Sequence, residues 1–313
     1  MTKENALPIG VFDSGVGGLT VLRALRQRLP DEQFIYLGDT ARLPYGTKSG
    51  ASVLRYSIQA AEFLVNQGIK YLVIACNTAS SVAVEPLRER FAPMPVIGVI
   101  EPGSIAGCAA SKSGHIAVLA TEGTVRGGAY QRAIAHSKPN AQVSAQACSL
   151  FVALAEEGWT DGAIAEAIAH RYVDELFRND PRIDTLLLGC THFPVLASAL
   201  RAVIGPSVTI VDSAETTAKA VQAELLDRGL LNTTRPMLGR MPECRERAGQ
   251  DARMQRAHGC AGAARDAQDR PPSPILQATD SPERFARVGS RFLGESFDAG
   301  RVELVDLSPE VTR

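Results

Sequence analysis

The chain has 313 residues, 45% of them hydrophobic, and a formal net charge of −1. That length exceeds one average domain and supplies apolar material for two cores, while the near-neutral charge argues against nucleic acid or an anionic membrane surface as partner. The longest apolar runs are strand-length, short of the roughly 20 residues a membrane span needs, and MTKENALPIG has no apolar leader core, so a cytoplasmic protein is expected.

In chain order, Ile9 to Asp13 reads as a strand, followed by SGVGG and a helix from Leu19 to Leu29 with Leu19, Leu22, Leu25 and Leu29 on one face. GVGG does not complete a phosphate-binding G-x-G-x-x-G, because Thr20 stands where the last glycine should be. The better reading is close approach of backbone to a small ligand, with Asp13 and Ser14 presented to it. QFIYLGDT (33–40) is a second strand, and ARLPYGTKS a loop whose Tyr45 and Gly46 could close over a ligand. A helix from Ala51 to Gln67, with Leu54, Ile58, Ala61 and Val65 aligned, leads to the buried strand Tyr71 to Ile74. VIACNTAS (73–80) continues it into Cys76 and a helix start, and PVIGVIEPG (95–103) closes the first half.

HIAVLATEGTV (115–125) resembles PIGVFDSGVGG (8–18), Ile116 aligning on Ile9, so the pattern begins again. A helix around Gly127 to His136, a strand at Ala141 to Ala147 and a helix from Asp161 to Phe177 follow. LLLGCTHFPVL (186–196) repeats the run of strand, cysteine and helix start at Cys190, and SVTIVDSAE (207–215) finishes this half. After a helix from Ala214 to Arg228, the stretch Thr233 to Pro274 is rich in arginine, alanine, glycine and proline without helical or strand period. It reads as a mobile insertion, with basic contact to a partner as the alternative. A strand and capped helix over 275–295, with Phe285, Val288 and Phe292 on one side, and a last strand over 302–307 complete the chain.

Strands alternating with helices predict parallel sheets with right-handed crossovers. The expected fold is therefore α/β, two similar lobes, each a mostly parallel sheet flanked by helices, with the active site in the cleft between them. The first lobe should comprise 1–98 and 212–313, including the insertion at 233–274, and the second 99–211.

The six cysteines are widely and irregularly spaced without C-x-x-C, which fits neither a disulfide framework nor a zinc site. Cys76 and Cys190 each lie at a strand end beside the unpaired N–H groups of a helix start, where a reactive thiol is plausible. Ligands bind at that edge of an α/β sheet, helix N-termini attract anions, and a positive dipole lowers a thiol pKa. Two thiols across a small polar cleft could remove a proton from one face of a carbon and deliver one to the other. A thiol's ordinary pKa of ~8.5 suits it to act as base when ionised and as acid when not.

His192, two residues after Cys190, could shuttle a proton or tune that thiol; the plainer alternative is a helix-start histidine bonded to backbone. Asp13 could orient an ammonium group or poise Cys76, or be an ordinary turn aspartate. Asn77, Thr78 and Thr191 offer donors to carboxylates, or simply cap helices. Glu156 and Glu157 lie in SLFVALAEEGW, where either could face the cleft.

The set IGVFDSGVGGLTVLRAL, YLGDTARLPYGTKS, VIACNTASSVA, LLLGCTHFPVL and VDSAETTA, in this order, closely resembles the glutamate racemase family of the aspartate/glutamate racemase superfamily over residues 8 to 230 and 275 to 307. The resemblance implies a cofactor-independent two-base racemase that interconverts L- and D-glutamate, the D form feeding peptidoglycan synthesis. It implies that Cys76 acts on D-glutamate and Cys190 on L-glutamate, assisted by Asp13, Glu156 and His192. It further implies that Asp13, Ser14, Tyr45, Gly46, Asn77, Thr78, Thr191 and His192 bind substrate, with no metal. The chain departs from the family at Ser149 and Ala153, where prolines are usual. A related amino-acid racemase such as aspartate racemase, a one-cysteine decarboxylase, or a non-catalytic regulatory member of the fold are the competing readings. A homodimer stays open.

Overall fold

In the computed structural model, residues 3–232 and 271–307 are described. The part of the expected insertion over 233–270 lies outside the described residues.

The first half runs β1 (Ile9–Asp13), α1 (Leu19–Arg28), β2 (Phe34–Gly38), α2 (Gly50–Asn66), β3 (Tyr71–Ile74), α3 (Asn77–Phe91), β4 (Val96–Gly98) and α4 (Ile100–Ala110). The second runs β5 (His115–Ala120), α5 (Glu122–Gly127), α6 (Ala129–Ser137), β6 (Gln142–Ala147), α7 (Ser149–Glu157), α8 (Gly162–Asn179), β7 (Thr185–Gly189), α9 (Ala197–Ile204) and β8 (Thr209–Asp212). Then come α10 (Ser213–Asp227), β9 (Ile275–Ala278), α11 (Pro282–Leu293) and β10 (Val302–Leu304).

Two parallel sheets result, one ordered β10-β9-β2-β1-β3-β4 and the other β6-β5-β7-β8. The segment β2-β1-β3-β4 has the same order as β6-β5-β7-β8, so the weak sequence repeat corresponds to a repeated topology. Strands β1, β3, β5 and β7 are buried along their whole length, as expected where helices cover both faces. At the sheet edges, β6 and β8 are partly exposed.

The largest buried cluster crosses from one sheet to the other. It includes Val21, Leu22 and Leu25 of α1, Ala214, Ala218, Val221 and Leu225 of α10, and Leu119, Leu188 and Phe193 from the second lobe. Helix α10 packs on α1 and also on α4, so it links the two sheets.

Three local expectations are corrected. In α2 the buried row is Val53, Ser57, Ala60, Ala61 and Leu64, whereas Leu54, Ile58 and Val65 flank it half-buried. Small residues at the centre let the helix lie close to the sheet, and Ser57 satisfies its hydroxyl on the Val53 carbonyl. The helix expected near 127–136 is α6, which begins after Gly128 in the left-handed region, and the short α5 ahead of it is an addition to that expectation. Helix α4 was not expected from its prolines and glycines. Pro102 falls in its first turn, where a missing N–H costs nothing, and an added Cβ at Gly107 would meet Leu187 at 2.7 Å.

Candidate active site

A cavity of about 300 Å³ opens where the carboxyl ends of β1, β3, β5 and β7 meet. Its size is at the small end of ligand sites, suited to a small acid rather than a nucleotide. Asp13, Ser14, Tyr45, Gly46, Cys76, Asn77, Thr78, Glu156, Cys190, Thr191 and His192 all line it. Of the candidate residues from the sequence, all but Glu157 are thus in one place.

Cys76 caps α3. Its Sγ accepts the Ala79 N–H at 3.5 Å, and its thiol faces Ser14 Oγ at 3.6 Å. The expectation that the helix start lowers this pKa does not hold. Burial, reinforced by the Asp13 carboxylate, pushes the thiol up to about 12, and the Ala79 and Ser14 contacts only partly offset it. Cys190 follows β7 directly, and its Sγ lies 3.8 Å from His192 Nδ1. His192 Nε2 meets Glu156 Oε1 at 3.1 Å, and Arg284 Nη2 donates to Glu156 Oε2 at 2.7 Å. Burial alone would lower the imidazole, but the hydrogen bonds to Cys190 and Glu156, with the charges of Cys190 and Asp13, raise it to about 10. Burial likewise would raise Glu156, yet His192 and Arg284 hold it below the usual carboxylate range.

Asp13 is buried, and burial raises its pKa against the opposing His192 charge. Its Oδ2 accepts the Gly15 N–H at 3.0 Å, so it is a turn aspartate as well as a cavity wall. Asn77 Oδ1 accepts the Tyr130 hydroxyl at 2.8 Å, leaving the buried Asn77 Nδ2 without a partner among the described residues. A buried unpaired donor is costly, at about 1–3 kcal/mol, unless something else fills it. On a cavity wall, that points to an acceptor on the ligand. Thr78 Oγ1 lies 2.9 Å from Thr121 Oγ1, joining the lobes across the cleft. Glu156 faces the cavity, whereas Glu157 is exposed.

The glycine loop is corrected in its target. A Cβ on Gly17 would fall 2.3 Å from His192 Nδ1, so the close approach is to this imidazole and not to the ligand. Thr20 explains its place in that loop: its hydroxyl bonds to the carbonyls of Gly17 at 2.9 Å and Thr191 at 3.0 Å. The Tyr45 loop is fixed from behind by Asp39, whose carboxylate accepts from Tyr45 and Arg42 and, at 3.0 Å, from Thr279.

Pro44, Thr47, Thr121 and Val152 also line the cavity without having been singled out, as do Ser149 and Ala153, the two positions that depart from the family's prolines. Thr121 had a signal. In the alignment that sets Ile116 on Ile9, it is the counterpart of Ser14.

Fold and cavity together define the class: a two-lobed α/β protein with a small polar site carrying one cysteine from each half. The chain belongs to the Asp/Glu/Hydantoin racemase family, whose model matches residues 10–221, and it is an isomerase. It is 52% identical over 223 residues to a glutamate racemase of Geobacter metallireducens, covering 71% of this chain and 81% of that one. It is 43% identical over 300 residues to one of Koribacter versatilis, with 96% and 97% covered. Among solved structures, the glutamate racemase of Francisella tularensis in complex with D-glutamate superposes with a TM-score of 0.79 at 34% identity, over 97% of this chain and 99% of that one. Among the described residues no helix is long and apolar enough to cross a membrane.

Proposed function

We propose that this chain interconverts L- and D-glutamate by two-base proton transfer, without a cofactor, in the cytoplasm, where D-glutamate supplies peptidoglycan synthesis. The observation that carries the mechanism is that Cys76, after β3 of the first lobe, and Cys190, after β7 of the second, line the same small cavity. A thiolate on one side takes the α-proton, and the thiol on the other side delivers its own proton to the opposite face of the planar carbanion. The proton count is restored, and the roles of the two sulfurs are exchanged.

The burial of Cys76 keeps it a thiol, ready to act as acid. Cys190 lies against His192, which Glu156 holds in line, and the family resemblance makes this pair the base in the direction from L-glutamate. Asn77 Nδ2, Thr78, Thr191 and the Tyr45–Gly46 turn are suited to the carboxylates, and Asp13 to the ammonium group. Amide N–H groups at the start of α3 can stabilise charge developing next to the substrate carboxylate. Segments 1–98 with 212–313, and 99–211, would act as the two closing units.

In deuterated water either enantiomer should gain deuterium at the α-carbon during turnover, with no added pyridoxal phosphate or metal. Cys76→Ser and Cys190→Ser should each lower kcat by about 10²- to 10⁴-fold while substrate still binds. Full racemisation by either variant would overturn the two-thiol scheme.

A further inference from the structure

Helix α11 belongs to the strand-and-helix segment that extends the first lobe's sheet, yet it holds second-lobe catalytic groups from behind. Phe292 packs edge-on against the His192 ring, centroids 5.1 Å apart. Arg291 Nη1 donates to the Glu156 carbonyl at 2.7 Å, closing the last turn of α7, where Gly158 is left-handed (φ 79°) and a Cβ would strike the Arg291 guanidinium. Arg284 Nη2 takes Glu156 Oε2, while Oε1 of the same carboxylate meets His192. A continuous series of contacts results: Arg284 to Glu156 to His192 to Cys190. Around Cys76 the contacts differ: Ser14 Oγ and the Ala79 N–H meet the sulfur and the Asp13 carboxylate acts on it, and among the described residues none of these is held by an ion pair from α11.

We propose that Arg284 is a positioning residue for the Cys190 half-reaction: by fixing the rotamer of Glu156 it holds His192 at the angle that serves the Cys190 sulfur. This rests on the two-thiol reading above. Arg284 does not line the cavity, so it does not act by touching substrate. Its guanidinium side chain is 42% exposed, whereas the Glu156 side chain is 14% exposed. The geometric constraint therefore falls on the buried partner. A carboxylate with both oxygens engaged has one orientation; with Oε2 released it can turn about its own axis and let the imidazole swing. The charged groups against Glu156 are His192, Arg284 and Arg291, with Cys190 and Asp13 behind the imidazole. Arg284 is the one cation among them that reaches the carboxylate from outside the catalytic pair.

The test uses the full chain with Arg284→Gln and Arg284→Lys, measuring kcat and KM in both directions, their pH dependence, and the isotope effect with α-deuterated L- and D-glutamate. Arg284→Gln should lower kcat about tenfold or more and leave KM within about twofold. Because L and D forms are equal in energy, kcat/KM must fall equally in both directions. The isotope effect supplies the asymmetry, rising for α-deuterated L-glutamate, whose bond Cys190 breaks, and not for the D form. The acid limb of kcat should move to higher pH, since Glu156 without Arg284 protonates earlier and His192 then loses its partner. Arg284→Lys, which retains the charge, should bring that limb back.

An unchanged kcat and acid limb in Arg284→Gln would overturn the proposal. So would a change confined to KM, or an Arg284→Lys profile identical to that of Arg284→Gln. Wild-type protein that fails to racemise glutamate would remove the functional reading itself; a racemising wild type with an unaffected Arg284→Gln removes the positioning role alone.

Discussion

Asn77 does two jobs with one amide. Its oxygen is committed to Tyr130, and its nitrogen is buried on the cavity wall with no acceptor among the described residues. A donor aimed at a ligand carboxylate is worth about 1.5–3 kcal/mol, so Asn77→Ala should raise KM by roughly tenfold or more with a smaller effect on kcat. Steady-state kinetics would check this, and an unchanged KM would show that the substrate makes no use of the amide. At this scale much of the site was legible. Cysteines, a histidine and small polar residues at strand ends announce reactive groups by their type and position. What stayed open was rotational. Glu156 and Glu157 are adjacent, and only the phase of α7 decides that the first faces the cavity. Nor could the pKa of Cys76 be read from its place at a helix start, because burial outweighs the dipole and nothing local to the sequence reveals how deep the thiol lies. Arg284 was out of reach altogether, being 128 residues from the carboxylate it holds.

Among elements, the turn between β1 and α1 is the most informative. Gly17 has no Cβ because the second lobe's imidazole occupies that volume. Gly17→Ala would force either the turn or His192 to move, an overpacking that costs about 1–3 kcal/mol and also spoils the Cys190–His192 contact. A lowered melting temperature together with a loss of activity is expected; wild-type values of both would show that the ring has room to yield. Glycines in such a turn signal close approach from sequence alone, but not to what. Ligand and imidazole are equivalent answers until the second lobe is placed. Helix α4 was missed for a related reason. Its glycines and proline argue locally against a helix, whereas Leu187 needs the space that Gly107 leaves, and tertiary packing overrides the local preference.

For the whole molecule, the two lobes share one core through α1 and α10, and Asn77, Thr78 and Glu156 of the candidate site take part in the polar contacts between them. Stability and ionisation of the site are therefore linked. His192 has a folded pKa of about 10 against an ordinary value near 6.5. Its contribution is fully present below that ordinary value and is lost as pH rises through about 10. Cys76 acts in the same sense at still higher pH, because its ionisation is suppressed in the folded state. Urea midpoints should thus fall steadily from pH 7 to pH 10, with a shallower slope in His192→Gln; a flat profile in the wild type would contradict the assigned protonation. Two similar lobes with a cleft were legible in the alternation of strands and helices and in the restart at Ile116. How the last helix reaches across to the other lobe was not, because no periodicity records it.

The matched strand orders have one more consequence. A duplicated plan gives a left hand and a right hand to a reaction whose substrate and product are themselves mirror images. Yet among the described residues α11 braces a carboxylate by an ion pair on the Cys190 side and not on the Cys76 side, so the hands are not identically supported. The energy surface between the enantiomers can then be level at its ends and lopsided in between, with the higher pass lying wherever the extra bracing is absent.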